Sequence, residues 1–310
     1  MAINIYDQEK WNADIKESVR TYNEWFQSYT PKIYYSVRKA SAHMIDRFFV
    51  DSNNMTGLSV DFLQQYPHYL VILRLATAPP VARDRLKGLS QIQAGNLIKK
   101  MEESQNWIMS NQQEDLERIL SVIRKLLDRE LFGWIAENRT PSDKELLKAK
   151  AVLTDRLSAS RADSIIRNSQ EKRQLDILTT FLDEKGYTQV VGLSPLEQLK
   201  TGQYTIHSSL FHTGSGQPVA ISIDLSIRSK KNGRLILLEA KSAGDFVNVN
   251  KRRKEEAQKF RQIMEEYGDQ VQYLLFLGGY FDERYLQYMS SEGMDWLWEH
   301  NQEDLEKLDL

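Results

Sequence analysis

The chain has 310 residues, 41% of them hydrophobic and 27% charged, with a net charge of −2 and 15 Gly against 7 Pro. That balance excludes collagen-like, mucin-like and wholly disordered chains, and the absence of cysteine excludes disulfide scaffolds, zinc ribbons and cysteine nucleophiles. No apolar run approaches the ~18 residues of a membrane span, and the first ten residues lack a basic flank followed by an apolar stretch, so a soluble protein of the cytoplasm is expected.

The first half reads as helices. Residues 12–25, 32–49, 82–103 and 113–131 place apolar side chains at three- and four-residue spacing. Residues 59–75 do so as well, but Pro67 falls inside and divides them into two short helices. Pro79 and Pro80 break the pattern again just before Arg83, Asp84 and Arg85, which therefore sit in the first turn of a helix. Pro141, Ser142 and Asp143 form another helix start, with Ser142 as cap and Glu145 in the first turn.

The pattern changes near residue 160. An amphipathic helix over 162–184 stops at Lys185 and Gly186. Strand signals follow at 188–191, 219–227, 234–240 and 270–277, with Asn232-Gly233 between the second and third as a hairpin turn. A helix over 251–267 separates the last two, and a helical tail closes the chain. The order predicts an α+β (α/β) architecture: a helical domain over 1–158, then over 159–310 a mixed sheet flanked by helices.

Charge is unevenly spread. From Arg228 to Arg261 there are 11 Lys/Arg against 4 Asp/Glu, and from Gln262 onward 2 against 12. A basic stretch inside an acidic protein points to a focused contact with a polyanion.

The chemistry is concentrated on three residues. Glu239 and Lys241 are two apart in one strand and share a face. Pairing through the Asn-Gly hairpin brings Asp224 beside Glu239. Two carboxylates suit a hard divalent cation such as Mg²⁺, and an ammonium beside them suits an attacking water and a charged phosphorus centre. The basic residues immediately downstream fit a phosphate backbone. A solvated ion pair at a strand end is the plainer reading of Glu239 and Lys241 alone. His207 and His212 are isolated in the sequence, with no third ligand nearby, which argues against a zinc site.

Asp224 followed by Glu239-Ala240-Lys241 resembles the PD-(D/E)XK nuclease signature, with Ile223 where that motif often has proline. The core order expected of that fold, helix–strand–hairpin–helix–strand, agrees with the order above. The stretch from Arg167 to Gln174 resembles the helix that precedes the core in many type II restriction endonucleases, and Glu171 stands where an acidic residue can join the metal site. Arg167–Glu171 also reads as an ordinary surface pair at helical spacing, and Gln174 reads equally as structural. Residues 241–257, 277–281 and the Trp296–Trp298 tail look most like the XamI-type group of those enzymes.

The resemblance implies a Mg²⁺-dependent endonuclease cutting double-stranded DNA at a specific site, acting as a homodimer in a prokaryotic cytoplasm. Asp224 and Glu239 would hold metal, with Lys241 at the attacking water and Glu171 in support. Asn248, Asn250, Lys251, Arg252 and Arg253 are candidates for phosphate contacts at the start of the helix over 251–267, where an asparagine reads equally as a helix cap. Arg83-Asp84-Arg85 resembles the Arg-acid-Arg element that reads G:C pairs in other restriction enzymes, since paired guanidinium forks suit guanine O6 and N7. The same residues would also serve a repair or junction-resolving nuclease of this fold, or a DNA-binding protein that kept the sheet without catalysis.

Overall fold

The computed structural model describes residues 2–93, 96–103, 113–192, 198–214 and 218–310, with the backbone alone at 248, 251 and 252. They form two compact units, one of Met1–Thr30 with Ile166–Leu310 and one of Pro31–Ile165. Two long helices, α1 (Gln8–Asp51) and α8 (Asp143–Glu184), contribute to both. The sequence pattern predicts a break in α1 between residues 25 and 32. Instead the helix runs through Pro31, and the division between units falls at that residue.

The Pro31–Ile165 unit is helical. Between its parts of α1 and α8 lie α2 (Val60–Gln65), α3 (Leu70–Leu75), α4 (Arg83–Leu89), α5 (Leu97–Glu103), α6 (Gln113–Leu126) and α7 (Gly133–Ala136). α6 is the clearest case of pattern dictating packing: Leu116, Ile119, Leu120 and Ile123 recur at helical spacing and all are buried. Ser142 and Glu145 close the start of α8 reciprocally. The Glu145 carboxylate accepts from the Ser142 N–H at 2.8 Å, and the Glu145 N–H points to Ser142 Oγ at 3.4 Å.

The expected single helix over 82–103 is two. α4 ends with Gln91 at φ 55°, the Ile92 N–H bonding Lys87 O and the Gln91 N–H bonding Gly88 O, both at 3.2 Å. That is a Schellman ending with glutamine in the left-handed position usually held by glycine, so composition gave no stop signal. α8 ends the same way with the expected residue: Gly186 has φ 74°, and the Tyr187 N–H bonds Leu182 O at 2.9 Å.

The other unit is built on a six-stranded mixed sheet in the order β1 (Thr188–Gln189), β2 (Gln203–His212), β3 (Val219–Arg228), β4 (Leu235–Ala243), β5 (Val271–Gly279), β6 (Asp295–Trp298). β2–β3 and β3–β4 are antiparallel; β1–β2, β4–β5 and β5–β6 are parallel. α9 (Phe246–Tyr267) connects β4 to β5, and α10 (Glu283–Ser291) connects β5 to β6. One face of the sheet packs Leu235, Leu237 and Leu275 against Phe260 and Ile263 of α9. The other packs Ile236, Leu238 and Phe276 against Leu175, Leu178 and Leu182 of α8. Residues 1–30 belong here because Asp295 at the start of β6 accepts the N–H groups of Ile3, Asn4 and Ile5 at 2.5–3.0 Å.

The sequence pattern points to neither β2 nor β6. β2 carries His, Ser and Thr where an alternating strand would carry apolar residues, and β6 is four residues long in a stretch that reads as a helical tail.

Candidate active site

Strict alternation along β3 would put Ile221, Ile223, Leu225 and Ile227 on one face. The structure splits them. Ile221 and Ile223 join the cluster of Leu235 and Leu237, whereas Leu225 and Ile227 join that of Ile236 and Leu238. The strand changes side at Asp224. β2 makes the same change at His207, which lies opposite Asp224 because Ile206 pairs with Leu225 and Ser208 with Ile223. His207 has φ 51°, a left-handed backbone that costs an L-residue roughly 1–2 kcal/mol.

The change of side ends the β3–β4 ladder. Pairing runs from Arg228–Leu235 to Leu225–Leu238 and goes no further. The Ala240 N–H beyond that point is taken by a side chain: Asp224 Oδ2 accepts it at 2.9 Å. The aspartate is thereby fixed at the mouth of the split strands, next to the residues flanking Ala240.

Those residues are Glu239 and Lys241. Glu239 is 2% exposed, and its two oxygens are held by different lysines, Oε2 by Lys241 Nζ at 3.0 Å and Oε1 by Lys259 Nζ from α9. Burial, reinforced by the Glu239 charge, pushes the Asp224 carboxyl up to about 6. Burial alone would lower Lys241, but Glu239, Glu256 and Asp224 outweigh it and raise the ammonium above its ordinary value. The neighbouring carboxylates therefore favour the charged form of Lys241. From α8, Gln174 is fully buried and its Nε2 donates to Lys241 O at 3.2 Å and Phe276 O at 3.0 Å, which fixes the ends of β4 and β5. Gln174 is structural.

Glu171, one turn before Gln174, also reaches the site. One ligand atom from each of Glu171, His207 and Asp224 lies within 4.8 Å of the others. The sequence reading set His207 aside for want of a third ligand; strand pairing and α8 supply two. Beside Lys241 opens a cavity of about 350 Å³ lined also by Arg167, Ser242 and Glu256. The cavity presents the Lys241 ammonium, Arg167 and Glu256, chemistry suited to a phosphate, and the separate cluster of two carboxylates and an imidazole is chemically suited to a divalent cation.

The family model described as XamI restriction endonuclease matches residues 53–298. Over 98% of its length the chain is 40% identical to 98% of the type II restriction enzyme SalI of Streptomyces albus G.

The chain belongs to the XamI restriction endonuclease family.

Its activity is accordingly that of a type II restriction endonuclease, a site-specific deoxyribonuclease. Among solved structures, protein VC1899 of Vibrio cholerae aligns over 79% of this chain and 52% of its own at 10% identity, with a TM-score of 0.32, too low to bear on the fold.

In this XamI-family chain the candidate DNA-contacting residues fall into two groups. Asn250 and Arg253 lie on α9 and are half-buried. Asn250 Nδ2 donates to Phe246 O at 3.0 Å and Asp282 Oδ2 at 3.2 Å, and the Arg253 guanidinium lies over the Tyr288 ring at 5.1 Å. The side chains of Asn248, Lys251 and Arg252 lie outside the described residues. In the helical unit, Arg83 at the start of α4 is paired with Glu102 and Glu103 of α5, while Asp84 and Arg85 are exposed. Lys259 was missed by sequence reasoning, because it lies nearly four turns into α9 and twenty residues from Glu239, with nothing local to mark it.

Proposed function

We propose that this restriction endonuclease cuts both strands of duplex DNA at a palindromic, G:C-containing site, as a homodimer, with Mg²⁺ and a PD-(D/E)XK centre made of Asp224, Glu239, Lys241 and Glu171. The carrying observation is the Asp224–Ala240 hydrogen bond, which holds Asp224 beside Glu239 and Lys241. The donor set fits the ion, since Asp224 and Glu171 bring carboxylate oxygens together as a hard cation requires. Glu239 joins them when Lys259 releases Oε1. When bound, Mg²⁺ polarises the phosphodiester and acidifies a water.

The chain's own groups do the rest. Glu239 positions the Lys241 ammonium through its Oε2, and that charge offsets the negative charge growing on phosphorus. Gln174 keeps the Lys241 backbone in place. The helical unit supplies base-reading and dimer contacts, with Arg85 free to meet a guanine edge and Arg83 set by its two glutamates. A two-fold dimer suits a symmetric site, each protomer cutting one strand.

The test is plasmid cleavage with sequencing of the ends. Wild-type protein yields discrete fragments in Mg²⁺, and Lys241→Ala keeps DNA binding in Ca²⁺ without cleaving. Full activity in chelator would overturn the metal role, and fragments without a common end sequence would point to a structure-specific nuclease.

A further inference from the structure

We propose that His207 is a metal ligand, forming with Asp224 and Glu171 a mixed nitrogen–oxygen site that prefers a borderline divalent cation such as Mn²⁺ to Mg²⁺. The inference rests on the Asp224-centred reading above and extends it to a residue outside the signature. Three elements converge to make the site. Asp224 and His207 face each other across β3 and β2 at the point where both strands change side, and Glu171 comes down from α8.

The three ligand atoms lie within 4.8 Å of one another; ligands of a six-coordinate ion with bonds near 2.1 Å stand about 3.0 Å apart when adjacent and about 4.2 Å when opposed, so a small inward turn of the side chains closes the set. A simple ion pair explains the cluster less well. His207 Nδ1 stands 3.6 Å from Glu171 Oε1, beyond a hydrogen bond, and such a pair gives Asp224 no part. Both side chains are about half exposed, so each can turn inward by a rotamer change without repacking the core.

The chemistry follows from the donors. Imidazole is a borderline ligand that Mg²⁺ uses reluctantly, whereas transition-metal ions take it readily alongside carboxylates. The set of one nitrogen and two carboxylates therefore separates the two classes of ion. Glu239, with both oxygens bound by lysines, is the less available ligand of the site. His207 in this reading sets which metal is taken, while Asp224 sets whether one is taken at all.

The experiment is electron spin echo spectroscopy of the full chain with Mn²⁺ and no DNA, paired with a Mn²⁺ titration. Wild-type protein should show imidazole nitrogen coupling to the ion. His207→Asn, which suits the left-handed backbone, should abolish the coupling and weaken Mn²⁺ by roughly ten- to a hundredfold, the range known even for outer-shell partners, with a smaller effect on Mg²⁺. Mn²⁺ that binds, is lost in Asp224→Asn, and shows no nitrogen coupling overturns the role of His207 and leaves the carboxylate centre standing. Coupling that persists in His207→Asn overturns it too, by assigning the nitrogen to another histidine. Mn²⁺ affinity indifferent to Asp224→Asn overturns both readings.

Discussion

Asp224 Oδ2 accepts the backbone N–H of Ala240 at 2.9 Å, in place of the strand partner that Ala240 would otherwise have on β3. A single hydrogen bond thus satisfies the N–H left where the sheet ladder ends and orients a carboxylate. It makes Asp224 part of the fold as well as part of the proposed chemistry, and the two roles separate by substitution.

Asp224→Asn keeps an oxygen acceptor for Ala240, whereas Asp224→Ala leaves that N–H unpaired at a cost of about 1–3 kcal/mol. Both variants should lose cleavage by at least about a hundredfold, the scale of removing one transition-state electrostatic contact. Only the alanine variant should unfold at lower temperature. Thermal unfolding beside a plasmid cleavage assay distinguishes them, and equal melting would remove the structural role.

Burial and Glu239 place the Asp224 carboxyl at about 6, above its ordinary 3.8. Between those values the folded metal-free protein binds more protons at this site than the unfolded chain, so its stability falls as pH rises from 4 through 6. The same ionisation creates the proposed metal ligand, so Mg²⁺ affinity should rise over that interval and level above it. Melting curves in chelator, wild type against Asp224→Asn, should converge at low pH and separate by pH 7, the asparagine variant being the more stable there.

Lys259→Met removes the cation on Glu239 Oε1 and leaves Lys241 on Oε2. With that competitor gone, Glu239 becomes a better metal ligand, so the Mg²⁺ concentration for half-maximal cleavage should fall. A buried carboxylate with one counter-charge fewer also costs stability in the absence of metal, so Mg²⁺ should raise the melting temperature of the variant more than that of wild type. Calorimetric scans with and without Mg²⁺ measure both effects.

The proposed chemistry of this site is more legible in the sequence than its geometry. Glu239 and Lys241 declare a shared face by spacing alone, and Asn232-Gly233 joins their strand to that of Asp224. Gly186 ends α8 as its residue type demands. His207 and Lys259 were illegible because nothing local marks them: one meets Asp224 through pairing with a polar strand, the other reaches Glu239 from a helix twenty residues on. Gln91 hid a helix end for the converse reason, since it adopts a left-handed backbone without the glycine that announces one. Contacts distant in sequence and backbone set by tertiary packing leave no periodic trace.

Gly278 lies on β5 opposite Ser242 of β4, one residue beyond Lys241. A Cβ there would stand 2.2 Å from Glu299 Oε2 and 3.1 Å from Gln174 Nε2. Glu299 has little freedom to move, because Arg173 holds its oxygens at 2.7 and 3.0 Å and the Arg173 guanidinium stacks 4.3 Å from the Trp25 ring. Gly278→Ala should therefore destabilise the protein by about 1–3 kcal/mol, the range for overpacking a filled interior. Displacing Gln174 also loosens its bond to Lys241 O, so cleavage should fall even at temperatures where the variant is fully folded. Cleavage rates measured well below the melting temperature check the second effect apart from the first. A variant that melts early yet cuts at the wild-type rate would show that Gln174 does not hold Lys241 in place for catalysis.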